Sequence, residues 1–488
     1  MAELSTLDVY CDAPATFASR AEWVLGTLLA PLGRRVRLVH EREAAGGCAL
    51  AYALAPLAGV PTIPCDAGAM DLFARRQPLE AGAFTTLKAP AGDAVGAFPV
   101  AAGDGFALPF DLVSSAFALL ACWDERTSSA RDRFGRLPYS AGVFAANPAL
   151  KIEEPAVDGY VALLRTLLAP RLSGLGLEGL PPSGWLWSDG PAASGGFAVA
   201  LTHDVDNVWR WTPRGFAATG VRSARALRRG DRGAVRRELG DLCEWATVHL
   251  PRRSDPFWTF PRLLGGEDDR GVTSTFYIIA SHAHRRDGNQ PGTYRRRIPA
   301  ALDMLRRGRR EVGLHGNDAD RGSVRALRLD RDDLAGRSAA EISGIRYHYL
   351  RCLYHETLPL VEDAGFTYDT SLAFAEHEGF RCGCSFPFRP YSLTDERPLD
   401  LVELPLAVMD STLQEPHYRA LSAPDAELTA AAVLERVCSS GGGVSLLWHN
   451  NRFDPRVSRG YDQVYWRLVD GICEQGGLAT SAGEIVAR

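Results

Sequence analysis

The sequence predicts an α/β protein whose second part closes into a barrel of alternating strands and helices. Short apolar or β-branched runs recur between amphipathic helical stretches, as in successive βα units. Run after run ends in acids, histidines or an arginine: Thr202-His203-Asp204-Val205-Asp206, Glu311-Val312-Gly313-Leu314-His315, Arg346-Tyr347-His348-Tyr349, Tyr368-Asp369, Val408-Met409-Asp410 and Leu446-Leu447-Trp448-His449. The C-terminal edge of barrel strands is where such folds place their chemistry, and a series of such endings is hard to ascribe to chance. Length adds a third observation. At 488 residues the chain exceeds one small core, so an N-terminal α/β accessory domain at 1–190 is expected ahead of a barrel at 197–488.

Residues 1–190 read as strands at 7–11 and 35–39 and helices at 21–32, 111–122 and 157–168, with no catalytic constellation. Asp124 and Glu125 are neighbours whose side chains diverge on a helix, so ion pairing at a helix end is their expected use. The turn formers of 181–196 suggest a linker. The barrel then opens on the apolar run 197–201. An arginine-rich stretch at 209–237 is expected to be an inserted, solvated helical hairpin. Further strands are expected at 271–279, 311–315, 366–369, 401–406, 408–410 and 443–449, with a similar extended segment at 343–351.

Bulk properties narrow the function. A net charge of −5 gives no global attraction for nucleic acid. The longest apolar run, near 116–123, is too short to span a bilayer, so no integral membrane segment is expected. The N-terminal residues lack the features of a signal peptide, and the ten cysteines contain no Cys-x-x-Cys pair. Free thiols and a cytoplasmic location are the expectation.

Asp204 and Asp206 lie two residues apart, so in extended chain they face the same way. Two carboxylates that close call for a cation or a proton between them. A metal site with an adjacent base is one reading, and a polar loop with Asp206 as a helix N-cap is the plainer one.

Taken together and in order, these strand ends resemble the motifs of the polysaccharide deacetylase family, the NodB-like carbohydrate esterases of family 4. Thr202-His203-Asp204-Val205-Asp206 resembles the paired-aspartate motif, and Glu311-Val312-Gly313-Leu314-His315 the Glu-[Ile/Val]-Gly-x-His motif. Arg346-Tyr347-His348-Tyr349 matches Arg-x-x-Tyr, Tyr368-Asp369-Thr370-Ser371 is similar to an Asp-Ser-Ser strand, and Leu446-Leu447-Trp448-His449 matches Leu-x-x-His. Residues 105–170, with Trp123-Asp124-Glu125 and Gly135-Arg136, resemble an accessory region found in one bacterial subgroup.

The resemblance implies a distorted (β/α) barrel of about seven strands and metal-dependent hydrolysis of an N-acetyl or other N-acyl group. It implies one divalent ion, zinc, on Asp206 and His315, which would lower the pKa of a water that attacks the amide carbonyl. Asp204 would then be the base, oriented by Arg346, and His449 the acid that protonates the departing amine. Asp410, ahead of Asp369, would keep His449 charged and oriented, and a backbone N–H near Tyr349 would help hold the oxyanion. This sequence departs from the pattern at one point. The family's second metal-binding histidine falls four residues after the first, where this chain has Ala319. A catalytic zinc takes three protein ligands, so His348 is the expected replacement, with Asn317 and Asp318 as rivals.

Tyr349, Trp448 and His203 are the expected substrate contacts, with Trp209 and Phe388 as further stacking candidates. His377 with Cys382-Gly383-Cys384 lacks the spacing of a zinc finger and is expected to be structural. The expected substrate is an acylated sugar or glycan precursor. The alternatives are a hydrolase of a non-sugar C–N bond on the same fold and an inactive carbohydrate-binding relative. The missing histidine favours the latter, and Asp204, Arg346 and His449 oppose it. The sequence does not specify an oligomeric state.

Overall fold

The computed structural model describes residues 5–90, 92–101, 104–171, 196–211, 213–247, 255–280, 291–317 and 322–488. The expected linker lies outside these residues except for Gly196, as do Asp318 and Ala319.

The N-terminal region is α/β. Strands β1 (Ser5–Cys11), β2 (Arg34–Val39), β3 (Leu50–Ala53) and β4 (Thr62–Pro64) form a parallel sheet in the order β2-β1-β3-β4, and β5 (Thr85–Ala89) and β6 (Gly92–Gly96) form an antiparallel hairpin. Helix Ala15–Leu29 starts earlier than its apolar periodicity suggests, because Pro14 occupies the N-cap with φ −53°. Helix Leu112–Leu120 is buried along its whole length. Asp111 caps it, accepting the Ser114 N–H at 2.8 Å, which satisfies a donor that the apolar surroundings could not.

The second part supplies β7 (Ala198–Val205), β8 (Thr275–Ile278), β9 (Glu311–Gly316), β10 (Gly344–Tyr347), β11 (Tyr368–Asp369), β12 (Tyr391–Ser392), β13 (Arg397–Pro398), β14 (Val402–Glu403), β15 (Leu406–Met409), β16 (Gly443–Leu447) and β17 (Leu478–Thr480). The large sheet runs β14-β11-β10-β9-β8-β7-β16-β15, with every pairing parallel. Only Leu404 and Pro405 separate β14 from β15, so one stretch of chain pairs with β11 by its first half and with β16 by its second. That shared stave closes the ring, and the described residues form a distorted (β/α) barrel of seven staves. β12 and β13 form a small hairpin outside the ring, and β17 adds to the base of β7. The arginine-rich insertion is two helices, Pro213–Arg228 and Arg232–Thr247. Among the described residues no helix is long and apolar enough to cross a membrane.

Side-chain alternation sorts each stave between the barrel interior and the outer core. On β7, Ala198 and Ala200 pack inward with Tyr277, Tyr368 and Leu404, and Ala482 and Ile485 of helix Ala482–Val486 plug the base. Val199, Leu201 and Val205 face the outer core. On β9 the inward set is Glu311, Gly313 and His315. Glu311 accepts Tyr368 Oη (2.8 Å), Thr275 Oγ1 (2.5 Å) and the Gly483 N–H (2.9 Å), tying the plug to the barrel. A Cβ at Gly313 would stand 2.6 Å from the Tyr277 ring, and one at Gly344 would stand 1.9 Å from Tyr368 Cζ, so the interior aromatics require glycine there.

One hydrophobic cluster runs through both parts. Polar contacts also join them. Glu125 pairs with Arg381 and accepts the Tyr354 N–H, while Asp158 accepts the N–H (2.9 Å) and hydroxyl (2.5 Å) of Ser385. Cys382 meets Cys122 at 3.6 Å, Cys384 points to the Phe386 carbonyl, and His377 lies tilted against Tyr139 with ring centroids 3.8 Å apart, so among the described residues the three form no metal group.

Candidate metal centre and active site

The inward positions at the C-terminal ends of β7, β9, β10 and β16 converge. His315, on the last inward position of β9, donates from Nδ1 to the Arg346 carbonyl at 2.8 Å. A carbonyl only accepts, so the ring proton is on Nδ1 and the Nε2 lone pair is left facing inward. Nε2 stands 3.1 Å from Asp206 Oδ1. Two acceptors that close repel unless a cation or a proton lies between them. His348 Nε2 lies 3.5 Å from the same oxygen, and the donor atoms of Asp206, His315 and His348 all fall within 4.8 Å of one another. Two imidazoles and a carboxylate match the donor set of a catalytic divalent site that keeps an open position. Burial alone would raise the Asp206 carboxyl, but the neighbouring His348, with His449, holds it well below the usual carboxylate range, ready as an anionic ligand.

Asp204 sits one inward step below Asp206 and is buried. Arg346 Nη1 donates to its Oδ1 at 3.2 Å, and Oδ2 lies 3.7 Å from His315 Nε2. Arg346 is itself fully buried and fixed at every nitrogen. Nε donates to the Thr370 carbonyl (3.1 Å), Nη1 also to Thr202 Oγ1 (2.7 Å), and Nη2 to Ser445 Oγ (3.1 Å). The guanidinium lies over the Tyr277 ring, 4.6 Å from its centroid. The sequence assigns Thr202 and Ser445 to strands but gives them no role in the site. Their signal was parity, since each lies an even number of residues from a site residue on its own strand.

Across the mouth, His449 Nε2 lies 3.6 Å from Asp206 Oδ2. Its Nδ1 meets Asp410 Oδ1 at 2.6 Å, and its backbone N–H donates to Asp410 Oδ2 at 2.9 Å. Burial would lower the His449 imidazole, but Asp410, helped by Asp206 and Asp204, raises it to about 9. Asp410 is held below its usual value despite burial, chiefly by His449. Asp369, the rival partner, instead accepts the Ser371 N–H and hydroxyl beside Glu403.

Two expected substrate contacts are corrected. His203 is wholly buried on the outward face of β7, where its nitrogens meet the Trp448 carbonyl (2.7 Å) and Glu267 (3.1 Å). Trp448 is wholly buried between Tyr461 and Tyr465. Each neighbours an inward site residue in sequence, so alternation turns it away from the mouth. Phe388 is buried as well, and Trp209 lies under Arg297, 3.9 Å from the guanidinium. Tyr349 does reach the rim, 36% exposed. Of the rival ligands, Asn317 turns toward Asp330 (3.4 Å), and Asp318 is outside the described residues.

A sequence family of unknown function (DUF7033) matches residues 10–173. No curated protein matches the chain. Among solved structures, the chain is similar to a Mycobacterium smegmatis protein assigned as a polysaccharide deacetylase, with 20% identity, a TM-score of 0.41, and coverage of 64% of this chain and 94% of that one. It is also similar to the allantoinase PuuE (13% identity, TM-score 0.39, 65% and 95% coverage). A third is a carbohydrate-esterase family 4 pseudoenzyme from Bacillus anthracis (11% identity, TM-score 0.30, 59% and 65% coverage). By its own strand order this part of the chain is a distorted (β/α) barrel that carries its acids and histidines at the C-terminal ends of its strands.

Proposed function

We propose that this chain is a metal-dependent hydrolase that removes an N-acyl group, acetyl foremost, from a sugar or glycan-precursor amide. One observation carries the reading. The Asp206–His315–His348 donor set is flanked by a carboxylate that an arginine holds, Asp204, and by an imidazole that a carboxylate holds, His449. When bound, a divalent ion such as zinc supplies Lewis acidity, lowering the pKa of water and polarising the acyl oxygen.

The chain's own residues supply the rest. Asp204, oriented by Arg346, accepts a proton from the attacking water. His449, kept cationic by Asp410, gives its proton to the nitrogen as the C–N bond breaks. The products are a carboxylate and a free amine. The backbone N–H of Tyr349, at the rim, is the proposed second donor to the developing oxyanion.

The test is metal analysis of the tag-free protein combined with acetate release from N-acetylated sugars and from non-sugar amides. About one equivalent of divalent metal and turnover of a sugar amide are expected. Asp204→Asn should lower kcat by about 10²–10⁴-fold while substrate affinity is kept. Turnover confined to non-sugar amides would overturn the substrate class. Absence of both metal and turnover would overturn the enzyme reading.

A further inference from the structure

The third member of the donor set, His348, opens a strained stretch of backbone against which the N-terminal region packs. Tyr349 and Leu350 both adopt left-handed conformations, with φ of 58° and 54°. For non-glycine residues each such conformation costs free energy and persists only where its surroundings enforce it. Residues 132–136 of the N-terminal region supply two of the contacts that hold it.

Arg136 donates from Nη1 to the Tyr349 carbonyl at 2.6 Å. Its guanidinium is buried and clamped by Asp132, with Nε at 2.9 Å and Nη2 at 2.6 Å from Oδ2. Asp132 Oδ1 accepts the backbone N–H groups of Phe134 (2.8 Å) and Arg136 (2.9 Å), so the loop is braced before it touches the barrel. Phe134 stacks on the Tyr349 ring (4.7 Å, 15°), and Tyr349 in turn stacks on His348 (3.9 Å, 21°). A column of three rings therefore leads from the N-terminal region to the imidazole whose Nε2 lies 3.5 Å from Asp206.

Resting on the metal-centre reading above, we infer that the N-terminal region is part of the metal site: Arg136 and Phe134 are positioning residues that hold His348 at the centre, in place of the ligand lost at Ala319. His315 needs no such help, because its Nδ1 is fixed within the barrel by the Arg346 carbonyl. The dependence on the loop falls on one ligand of three. An outer contact that fixes a ligand's orientation governs metal affinity without touching the metal.

The experiment is competition for Zn²⁺ against a chromophoric chelator, using the full chain and its variants. The visible spectrum of the Co²⁺-loaded protein serves as a second readout, of ligand geometry. R136A is expected to weaken Zn²⁺ binding by about 10–100-fold and to change the Co²⁺ spectrum in the direction that H348A changes it. R136K, which keeps the charge but cannot fork between Asp132 and the Tyr349 carbonyl, should lose less. F134L, which breaks the ring column and leaves the arginine, should also lose affinity.

Should R136A fail to fold, R136K and F134L carry the same prediction. Zn²⁺ affinity and Co²⁺ spectra unchanged in these variants, while H348A loses metal, would overturn the inference and leave the metal centre standing. Metal retained at full affinity in H348A would overturn both the inference and the assignment of His348. No metal in the parent protein would overturn the metal-centre reading itself.

Discussion

The proton of His315 sits on Nδ1 because its neighbour there is a carbonyl, and the electrostatics of the mouth follow from that placement. At the opposite side the balance is reversed, since Asp410 offers an anion to His449 Nδ1 and keeps that ring charged. Replacing Asp410 with Asn removes the strongest influence that raises the His449 pKa, while burial, which lowers it, remains. The alkaline limb of kcat/KM should then move to lower pH and kcat should fall by about 10²–10⁴-fold. Profiles over pH 6–10 check this, and an alkaline limb that stays in place would remove His449 from the role of acid. Asp204, Asp206, His315, Arg346, His348 and His449 were legible at this scale because each ends or follows a buried strand. His203 and Trp448 were misplaced although the information was present. One residue of offset on a strand is half a turn of direction, and it turns these two chemically suitable side chains outward.

At the scale of elements, the strands expected from β-branched and apolar runs formed where those runs lie, and their inward positions explain residues that motif reading passed over. Gly344 is one. Gly344→Ala would press a methyl into the Tyr368 ring, at a cost of about 1–3 kcal/mol. Gly336 in helix Val324–Ser338 has open space around its Cα, so Gly336→Ala should stabilise by about 0.4–1 kcal/mol. Urea unfolding of both variants checks the pair: Gly344→Ala without loss would mean that the Tyr368 ring does not exclude a side chain there, and a loss in Gly336→Ala would overturn the helix prediction. Helix limits were less legible. The start of Ala15–Leu29 follows Pro14, whereas periodicity reports only the buried stripe.

At the scale of the whole molecule, the contacts between the two parts were not legible in the sequence. Glu125 with Arg381 and Arg136 with the Tyr349 carbonyl join residues more than two hundred positions apart, and no local pattern marks them. His355 belongs to the same seam. Its ring nitrogens are shielded from water near Cys122, and burial, reinforced by Arg126, presses its pKa to about 3. An unfolded chain takes up this proton near pH 6.5, which the folded chain refuses until about pH 3. The stability it contributes is therefore full above 6.5 and falls as pH drops through that window, by at most about 1.4 kcal/mol per unit. His355→Gln should flatten the decline of Tm between pH 6.5 and 4, and an unchanged slope would place that decline on other groups. The closure of the ring also sets an order of events during synthesis. β7 carries Asp204 and leads straight into Asp206, yet its neighbour β16 begins only at Gly443 and β17 at Leu478, so both are translated more than two hundred residues after it. Until then this strand, wholly buried in the folded chain, emerges from the ribosome with an open edge, the kind of surface that chaperones cover and that aggregates when left bare. A fragment ending before Gly443 is thus expected in inclusion bodies, whatever its content of active-site residues.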